Sequence, residues 1–210
     1  MPLLHYFVAG RDVRVGVWEI TEAESYFLEK LGITTDPDQE LDAVHGSKRL
    51  EWLAVRTLTT ILSGGTFKIK KDEWGKPHLE ESGRTLSISH SGNKAAAILG
   101  TGLVGIDIQG RSRQLLRIAG RVIRADKIKN LDPNTELETL HVYWGAKEAL
   151  YKAYGKRELD FREDIFVQPF EYNPLGGSTT GRVQKGAFAK DFDIYYQSIE
   201  NYFLVYAMER

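Results

Sequence analysis

Two segments of the chain carry acidic residues in settings that suit metal-dependent phosphoryl chemistry. Asp107 lies in the apolar run GIDIQ at residues 105–109, a pattern that predicts a buried strand carrying one acid. Glu148 lies in WGAKEALYK at residues 144–152, a pattern that predicts a helix with an acid and two lysines. Together the two segments are able to hold a divalent cation against a phosphorylated substrate, with a base and a cation beside the reacting phosphate.

Spacing within each segment places the functional groups on common faces. Asp107 and Gln109 are two residues apart on a strand, so their side chains leave the same side of it. Glu148 and Lys152 are four residues apart on a helix and also share a face. Mg²⁺ prefers carboxylate oxygens completed by substrate phosphates and waters, and Gln109 offers an amide oxygen. The structural alternative is that Asp107 ends a strand and that Glu148 pairs with Lys152 on an exposed helix.

Two shorter motifs offer contacts for a phosphate. The tripeptide GKP at residues 75–77 predicts a stiff turn that presents Lys76 to a phosphate or to adenine. The run SISHS at residues 87–91 predicts a strand whose alternation puts Ser89 on one face and His90, near the strand end, on the other. The alternatives are an ordinary turn and a hydrogen-bonded structural histidine. A Ser-His-Asp hydrolase would need a Gly-x-Ser-x-Gly turn, which the sequence lacks.

An amphipathic pattern predicts a helix that follows Ser47 and ends at Gly64. Arg49 and Arg56 are seven residues apart on this helix, so they point the same way. The two guanidinium groups are therefore able to reach one anion together. The alternative is that each arginine is a solvated surface charge.

The remaining patterns predict the elements that position these residues. A second long helix is predicted from a capping box at Thr135 and Glu138 to about Tyr154, before Gly155. Each half of the chain carries a long helix and later a strand-turn-strand, and mostly antiparallel strands with helices predict an α+β fold. Strands are predicted near residues 3–8, 13–18, 67–70, 86–89, 94–99, 103–108, 164–167, 182–188, 192–198 and 202–208.

Composition excludes several classes of function. The 210 residues carry a net charge of -1, which argues against a nucleic-acid-binding protein because such proteins usually need a strong positive balance. The chain has no cysteine, so disulfides, thiolate metal sites and a cysteine nucleophile are excluded. No apolar run is long enough to span a bilayer, and no secretion signal is visible. We therefore expect a cytoplasmic protein without membrane or nucleic-acid partners.

Taken in order, four motifs resemble those of the 4′-phosphopantetheinyl transferases. They are GKP at 75–77, SISHS at 87–91, GIDI at 105–108 and the pattern W-x-x-K-E-x-x-x-K at 144–152. The resemblance is to the longer, single-chain, pseudo-dimeric branch, the kind that activates peptide synthetases, and it covers about residues 72–156. It implies two similar α/β halves, at residues 1–103 and 104–210, related by a pseudo-twofold, with a ligand cleft between them.

The resemblance also implies an activity. Phosphopantetheine would pass from coenzyme A to a serine hydroxyl of an apo acyl or peptidyl carrier protein, and adenosine 3′,5′-bisphosphate would be released. Such a holo-carrier-protein synthase depends on Mg²⁺, and a pseudo-dimeric chain is able to work as a monomer. Fatty-acid, polyketide and peptide-synthetase carriers all remain open as partners.

Residue roles follow from the same resemblance, position by position. Glu148 would take the serine proton, and Lys152 would stabilise the pyrophosphate and the leaving phosphate. Lys76 and Pro77 would line the adenine side, while Ser89 and His90 would contact the 3′-phosphate. The implied metal ligands are Asp107, Gln109 and Glu148. The implied coenzyme A-binding set is Arg49, Arg56, Lys76, Pro77, Ser89, His90, Asp107, Lys147 and Lys152.

Gln109 is the main departure from the family pattern, because most members of the branch have a second acid there. An amide oxygen is a poorer ligand than a carboxylate, so a water is an alternative ligand. This residue motivates a second hypothesis, a coenzyme A-binding member of the fold that transfers nothing. A third hypothesis is another metal-dependent phosphoryl-transfer enzyme or a nuclease, which the near-neutral charge disfavours.

Overall fold

The computed structural model describes residues 3–10, 12–33, 41, 43–123 and 132–210. These residues form eleven strands and four helices. The strands are β1 (Leu3–Ala9), β2 (Val13–Glu19), β3 (Ile69–Lys71), β4 (Pro77–Leu79), β5 (Thr85–Ser91), β6 (Lys94–Gly100), β7 (Val104–Gly110), β8 (Ile165–Val167), β9 (Gly177–Lys185), β10 (Phe188–Ile199) and β11 (Tyr202–Glu209). The helices are α1 (Glu24–Leu31), α2 (Ser47–Ser63), α3 (Gln114–Val122) and α4 (Glu136–Tyr154).

The strands form two antiparallel sheets, one in each half of the chain. The N-terminal sheet has the order β1-β2-β6-β5-β4-β3, and the C-terminal sheet has the order β7-β11-β10-β9-β8. Every pair of neighbouring strands is antiparallel. The predicted α+β class is therefore confirmed.

Both halves use the same order of elements. In each, one strand (β2 or β7) is followed by two helices and then by four strands. The sheet neighbours also correspond, since β2-β6-β5-β4-β3 matches β7-β11-β10-β9-β8, and β1 is added at one edge. This architecture is compatible with two α/β halves, while the predicted pseudo-twofold, the cleft and the domain boundary after residue 103 stay predictions.

The core has three parts. They lie between four layers, in the order helix α2, N-terminal sheet, C-terminal sheet and helix α4. Helix α2 packs on one face of the N-terminal sheet, where Leu58 of α2 and Leu86 of β5 belong to one core cluster. Helix α4 packs on one face of the C-terminal sheet through residues such as Leu150. The third cluster lies between the sheets and joins residues such as Ile98 to Ile106. Strand β6 is buried along its whole length because it is covered on both faces.

Several predicted boundaries differ from the structure. Strand β4 was not predicted, because three residues that begin with a proline make a weak strand signal. The strand predicted at 182–188 is divided by a turn at Gly186, where φ is 55° and the chain passes from β9 to β10. Thr135 lies at the N-cap of α4, but its side chain makes no capping hydrogen bond. Among the residues described, no helix combines the length and apolarity that crossing a bilayer requires.

Candidate active site

Strand β7 is the edge strand of the C-terminal sheet, and strand β5 of the other sheet covers that edge. Ser87, Ser89 and Ser91, which we term the serine ladder, project from one face of β5. Each hydroxyl accepts a hydrogen bond of 3.2 Å from a backbone N–H of β7. The donors are Ile106, Ile108 and Gly110, in that order. The ladder satisfies edge donors that would otherwise be buried without partners.

Asp107 is held in place beside this ladder. Its side chain is buried, and its Oδ1 accepts hydrogen bonds from Ser89 Oγ at 3.0 Å and from Lys152 Nζ at 2.8 Å. Lys152 Nζ also donates to Ser89 Oγ at 2.9 Å and to the carbonyl oxygen of Ile106 at 3.0 Å. An ammonium has three protons, so these three acceptors account for all of them. Strand β7 and the helix that carries Lys152 are therefore in direct contact at Asp107.

Close approach of α4 to β7 makes this cluster possible. A Cβ on Gly105 would lie 1.8 Å from the carbonyl oxygen of Ala149 on α4, so a larger residue would push the helix away. The face of α4 near β7 and β11 is built from small residues, among them Gly145 and Ala153. Backbone therefore packs against backbone at this point, and the long side chains of α4 reach past β7.

Glu148 lies one helical turn before Lys152 and is partly buried. Burial raises the pKa of its carboxyl group, the negative charge of Asp107 raises it further, and Lys152 opposes the rise. A carboxylate whose pKa is raised in this way is a suitable general base. The site places two carboxylates, Asp107 and Glu148, beside one ammonium, Lys152, so a bound cation would offset the remaining negative charge.

The pair formed by Asp107 and Glu148 fits Mg²⁺ better than a metal that needs a complete protein cage. Within the described ranges, no cluster of three or more histidine, aspartate or glutamate side chains is able to hold a metal ion. Mg²⁺ commonly takes one or two carboxylates and completes its octahedron with waters and substrate phosphates. Two carboxylates with a phosphorylated substrate would therefore suffice, whereas a structural Zn²⁺ site would not fit.

Gln109 lies on the same strand but turns its amide nitrogen to α4. Gln109 Nε2 donates to the carbonyl oxygen of His141 at 3.0 Å. A Cβ on Gly145 would lie 3.3 Å from the same nitrogen, so the amide is packed against the helix. The amide oxygen is then the atom of Gln109 that would serve as a ligand, and its role as one stays a prediction.

Ser89 and His90 point to opposite faces of β5, as the alternation predicts. His90 Nδ1 lies 3.0 Å from Glu51 Oε2 on α2, and about half of the imidazole is exposed. Ser89 is buried with Asp107 on the other face. The structure therefore does not bring the two side chains together, although the resemblance implies that both contact one phosphate.

The two arginines of α2 have different partners in the N-terminal half. The guanidinium carbon of Arg56 lies 3.2 Å from the centroid of the Trp52 ring. Arg49 Nε lies 2.8 Å from Glu24 Oε1, and its Nη1 donates to the carbonyl oxygen of Leu41. Arg49 therefore links α2 to α1, and Arg56 lies over an aromatic ring of its own helix.

Lys76 crosses from the N-terminal half to the end of α4. Its Nζ donates to the carbonyl oxygen of Ala153 at 2.8 Å, and burial lowers its pKa. The negative end of the α4 dipole favours a cation at this place. Gly155 makes the passage possible, because a Cβ there would lie 2.2 Å from Lys76 Cδ and the residue has φ 76°. Pro77 follows as the first residue of β4.

Lys147 is adjacent to Glu148 in sequence but leaves α4 in another direction. Its side chain is buried, and its Nζ donates to the carbonyl oxygens of Phe161 and, at 2.8 Å, of Ile165. These contacts tie α4 to the start of β8. The structure does not bring Lys147 to the Asp107 cluster, and local spacing could not show which residues its ammonium would reach.

His141 is a buried residue for which the sequence indicated no role. Its ring stacks on Phe203 with centroids 4.4 Å apart, and its Nε2 accepts a hydrogen bond of 3.0 Å from the backbone N–H of Ser112. Burial lowers its pKa to about 4, so the ring is neutral. His141 thus anchors α4 beside Gln109, and the only sequence signal was a histidine within an apolar helix.

A comparison against known protein families gives a match in the C-terminal half of the chain. Residues 103–202 match the model of the 4′-phosphopantetheinyl transferase superfamily. The matched segment is slightly less than half of the chain, and it contains Asp107, Gln109, Glu148 and Lys152. No curated protein matches the chain. The family resemblance is confirmed at this level and supports phosphopantetheine transfer in general, while the longer pseudo-dimeric branch stays a prediction.

Proposed function

We propose that this protein is a Mg²⁺-dependent 4′-phosphopantetheinyl transferase. It takes phosphopantetheine from coenzyme A, places it on a serine of an apo acyl or peptidyl carrier protein, and releases adenosine 3′,5′-bisphosphate. The observation that carries this proposal is the convergence of Asp107, Glu148 and Lys152 on β7 and α4. That cluster lies inside the segment that matches the transferase superfamily.

Glu148 acts as the general base in this proposal. The hydroxyl oxygen of the carrier serine attacks the β-phosphorus of coenzyme A, and the serine proton passes to the Glu148 carboxylate. The bond from that phosphorus to the bridging oxygen breaks, and the bridging oxygen leaves with the adenosine bisphosphate. Its raised pKa makes Glu148 a stronger base than an ordinary glutamate.

Charge neutralisation supplies most of the remaining acceleration, since phosphoryl transfer needs little covalent help from a protein. Asp107 and Glu148 are the residues that would hold Mg²⁺, which supplies positive charge to the pyrophosphate when bound. Lys152 gives its three protons to protein acceptors, so it would stabilise the charge on the leaving phosphate through its own positive charge. Either the Gln109 amide oxygen or a water would complete the ligands from β7.

The N-terminal half contributes the nucleotide contacts in this proposal. Lys76 and Pro77 line the adenine side, His90 meets the 3′-phosphate, and Arg56 is directed at the nucleotide. His90 is partly exposed on the α2 side of β5, where a bound anion would reach it. We leave Lys147 out of the binding set, because its ammonium holds two backbone carbonyls elsewhere. Arg49 is likewise engaged with Glu24.

Intact-mass spectrometry of apo carrier proteins tests the proposal. Fatty-acid, polyketide and peptide-synthetase carriers are each incubated with the protein, coenzyme A and Mg²⁺, with and without EDTA. We expect one or more carriers to gain the mass of phosphopantetheine, and EDTA to prevent the gain. If coenzyme A binds but no carrier gains mass, the non-transferring alternative replaces the proposal, and Gln109→Glu becomes the variant to examine.

A further inference from the structure

Ser89 differs from its two neighbours in the serine ladder. Among the described residues, Ser87 and Ser91 each accept a backbone N–H of β7 and make no hydrogen bond to a charged side chain. Ser89 accepts the N–H of Ile108 in the same way, but its hydroxyl also donates to Asp107 Oδ1 and accepts from Lys152 Nζ. Of the three serines, Ser89 is therefore the one that contacts both Asp107 and Lys152.

The contacts of Ser89 leave it poorly placed to bind a phosphate. Its one proton is given to Asp107 Oδ1, and its lone pairs are taken by Ile108 N–H and Lys152 Nζ. The residue is 7% exposed. A phosphate would have to displace one of these partners and would stand close to the Asp107 carboxylate, which would repel it.

We propose that Ser89 is a positioning residue for the reaction centre and not a ligand of the 3′-phosphate. This inference rests on the proposed function. Ser89 fixes Asp107 by its Oδ1 atom, and the hydrogen bonds to Asp107 within the described part of the chain all go to that oxygen. The second carboxylate oxygen, Oδ2, receives no hydrogen bond from the described residues and would be the atom that holds a cation. Ser89 also holds Lys152 beside the place where the phosphate would bind. It does so through its own hydrogen bond to Lys152 Nζ, which does not involve Asp107.

A comparison of Ser89→Ala with Ser87→Ala tests the proposal. Both variants lose one acceptor for a β7 N–H, so they serve as a matched pair for the effect on the ladder. We expect Ser89→Ala to weaken Mg²⁺ binding to the complex with coenzyme A by about 10- to 100-fold, the effect typical of losing a side chain that orients a metal ligand. Ser87→Ala should leave Mg²⁺ binding unchanged. Calorimetric titration measures both.

A second measurement separates positioning from phosphate contact. The affinities of wild type and Ser89→Ala for coenzyme A and for 3′-dephospho-coenzyme A are measured in EDTA. We expect Ser89→Ala to change both affinities by the same small factor. A loss confined to coenzyme A, with Mg²⁺ binding intact, would show that Ser89 binds the 3′-phosphate and would overturn the proposal. Equal Mg²⁺ affinity in the two variants would overturn it as well.

Thermal unfolding gives a readout that does not require substrate. We expect the midpoint for Ser89→Ala to fall further than that for Ser87→Ala, because only Ser89 is shared by the buried pair Asp107 and Lys152. Equal midpoints would contradict the positioning role even in a protein that modifies no carrier. Failure of the proposed function has a different signature, since wild type itself would then bind no coenzyme A or transfer nothing.

Discussion

The two halves share one order of elements, but their long helices approach their strands differently. In the N-terminal half, a Cβ on Gly16 of β2 would lie 2.6 Å from Leu58 Cδ1, a side-chain atom of α2. In the C-terminal half, a Cβ on Gly105 of β7 would lie 1.8 Å from a backbone oxygen of α4. Helix α2 therefore packs through leucines, whereas α4 packs through its backbone. The closer approach lets Lys152 reach Asp107 across the strand.

The two halves therefore contribute different kinds of residue to the proposed site. The C-terminal half carries the acids and the lysine of the proposed reaction centre on β7 and α4. In the N-terminal half, the corresponding buried positions of β2 are apolar residues and a glycine. That half contributes side chains that reach across, which are the serine ladder and Lys76. The distance between helix and strand, which residue size sets, therefore decides which of the two similar halves is able to build a charged site.

Glu148→Gln should have the largest effect on activity. Removal of the base is expected to lower the transfer rate by about 10²- to 10⁴-fold, the usual contribution of a general base. The free energy of unfolding should not fall, because the raised pKa shows that the ionised carboxylate is unfavourable in the folded protein. Transfer kinetics and thermal unfolding measure the two effects. Transfer at the wild-type rate would remove Glu148 from the mechanism.

The rate of transfer should also depend on pH, and the protonation state of the Glu148 carboxyl group should set the direction of that dependence. Glu148 must be deprotonated to act as the base, so transfer should increase as the pH rises through its pKa. Burial and Asp107 raise that pKa in the metal-free protein and a bound cation would lower it, so the increase should move to lower pH as Mg²⁺ is added. A rate without such an increase in wild type would argue for another base.

Gly105→Ala and Gly16→Ala test the difference in packing directly. The methyl group of Gly105→Ala meets backbone, so α4 must shift, and we expect the free energy of unfolding to fall by more than about 3 kcal/mol. The methyl group of Gly16→Ala meets the end of a leucine side chain that is able to move, so we expect a loss of about 1 kcal/mol. Chemical denaturation measures both. Equal losses would contradict the difference in helix approach.

Acid should weaken the C-terminal half through His141. Its pKa in the folded protein is lowered to about 4 from 6.5, so below pH 6.5 the unfolded chain binds a proton that the folded protein does not. The free energy of unfolding should therefore fall between pH 6.5 and 4, by roughly 3 kcal/mol at most. His141→Phe keeps a ring beside Phe203 and should flatten this dependence. None of the described histidines in the N-terminal half is buried.

Lys147→Met should leave transfer unchanged and should concern stability alone. The ammonium binds two carbonyls, so its loss is expected to lower the free energy of unfolding by about 2 kcal/mol. The KM for coenzyme A should not change, because Lys147 lies on another side of α4 from Asp107. Lys76→Met is the comparison, since Lys76 reaches α4 from the other half and is proposed to line the adenine. A raised KM in Lys147→Met alone would restore its family-implied role.

Much of the candidate site could be predicted because it depends on local periodicity. Alternation on β7 and the four-residue repeat on α4 placed Asp107 on a buried strand and Glu148 with Lys152 on one helix face. Alternation also separated Ser89 from His90 correctly. The α+β class followed from the same patterns, since strands and helices leave different periods in the sequence.

The remainder depends on contacts between distant segments, which periodicity does not encode. The serine ladder requires knowledge that the face of β5 covers the edge of β7. Lys76 could be placed on a turn, but not at the end of α4, because that contact joins two halves of the chain. Lys147 is a second example. The motif places the residue on α4, but the carbonyl groups that its ammonium binds belong to residues 161 and 165, after the helix.

A structure of the protein crystallised with coenzyme A and Mg²⁺ would test the central claim most directly. The account predicts a cation bound by Asp107 and Glu148, with the pyrophosphate beside Lys152 and the nucleotide against the N-terminal half. Coenzyme A bound elsewhere, or a cation that contacts neither carboxylate, would contradict the assignment of the reaction centre to β7 and α4.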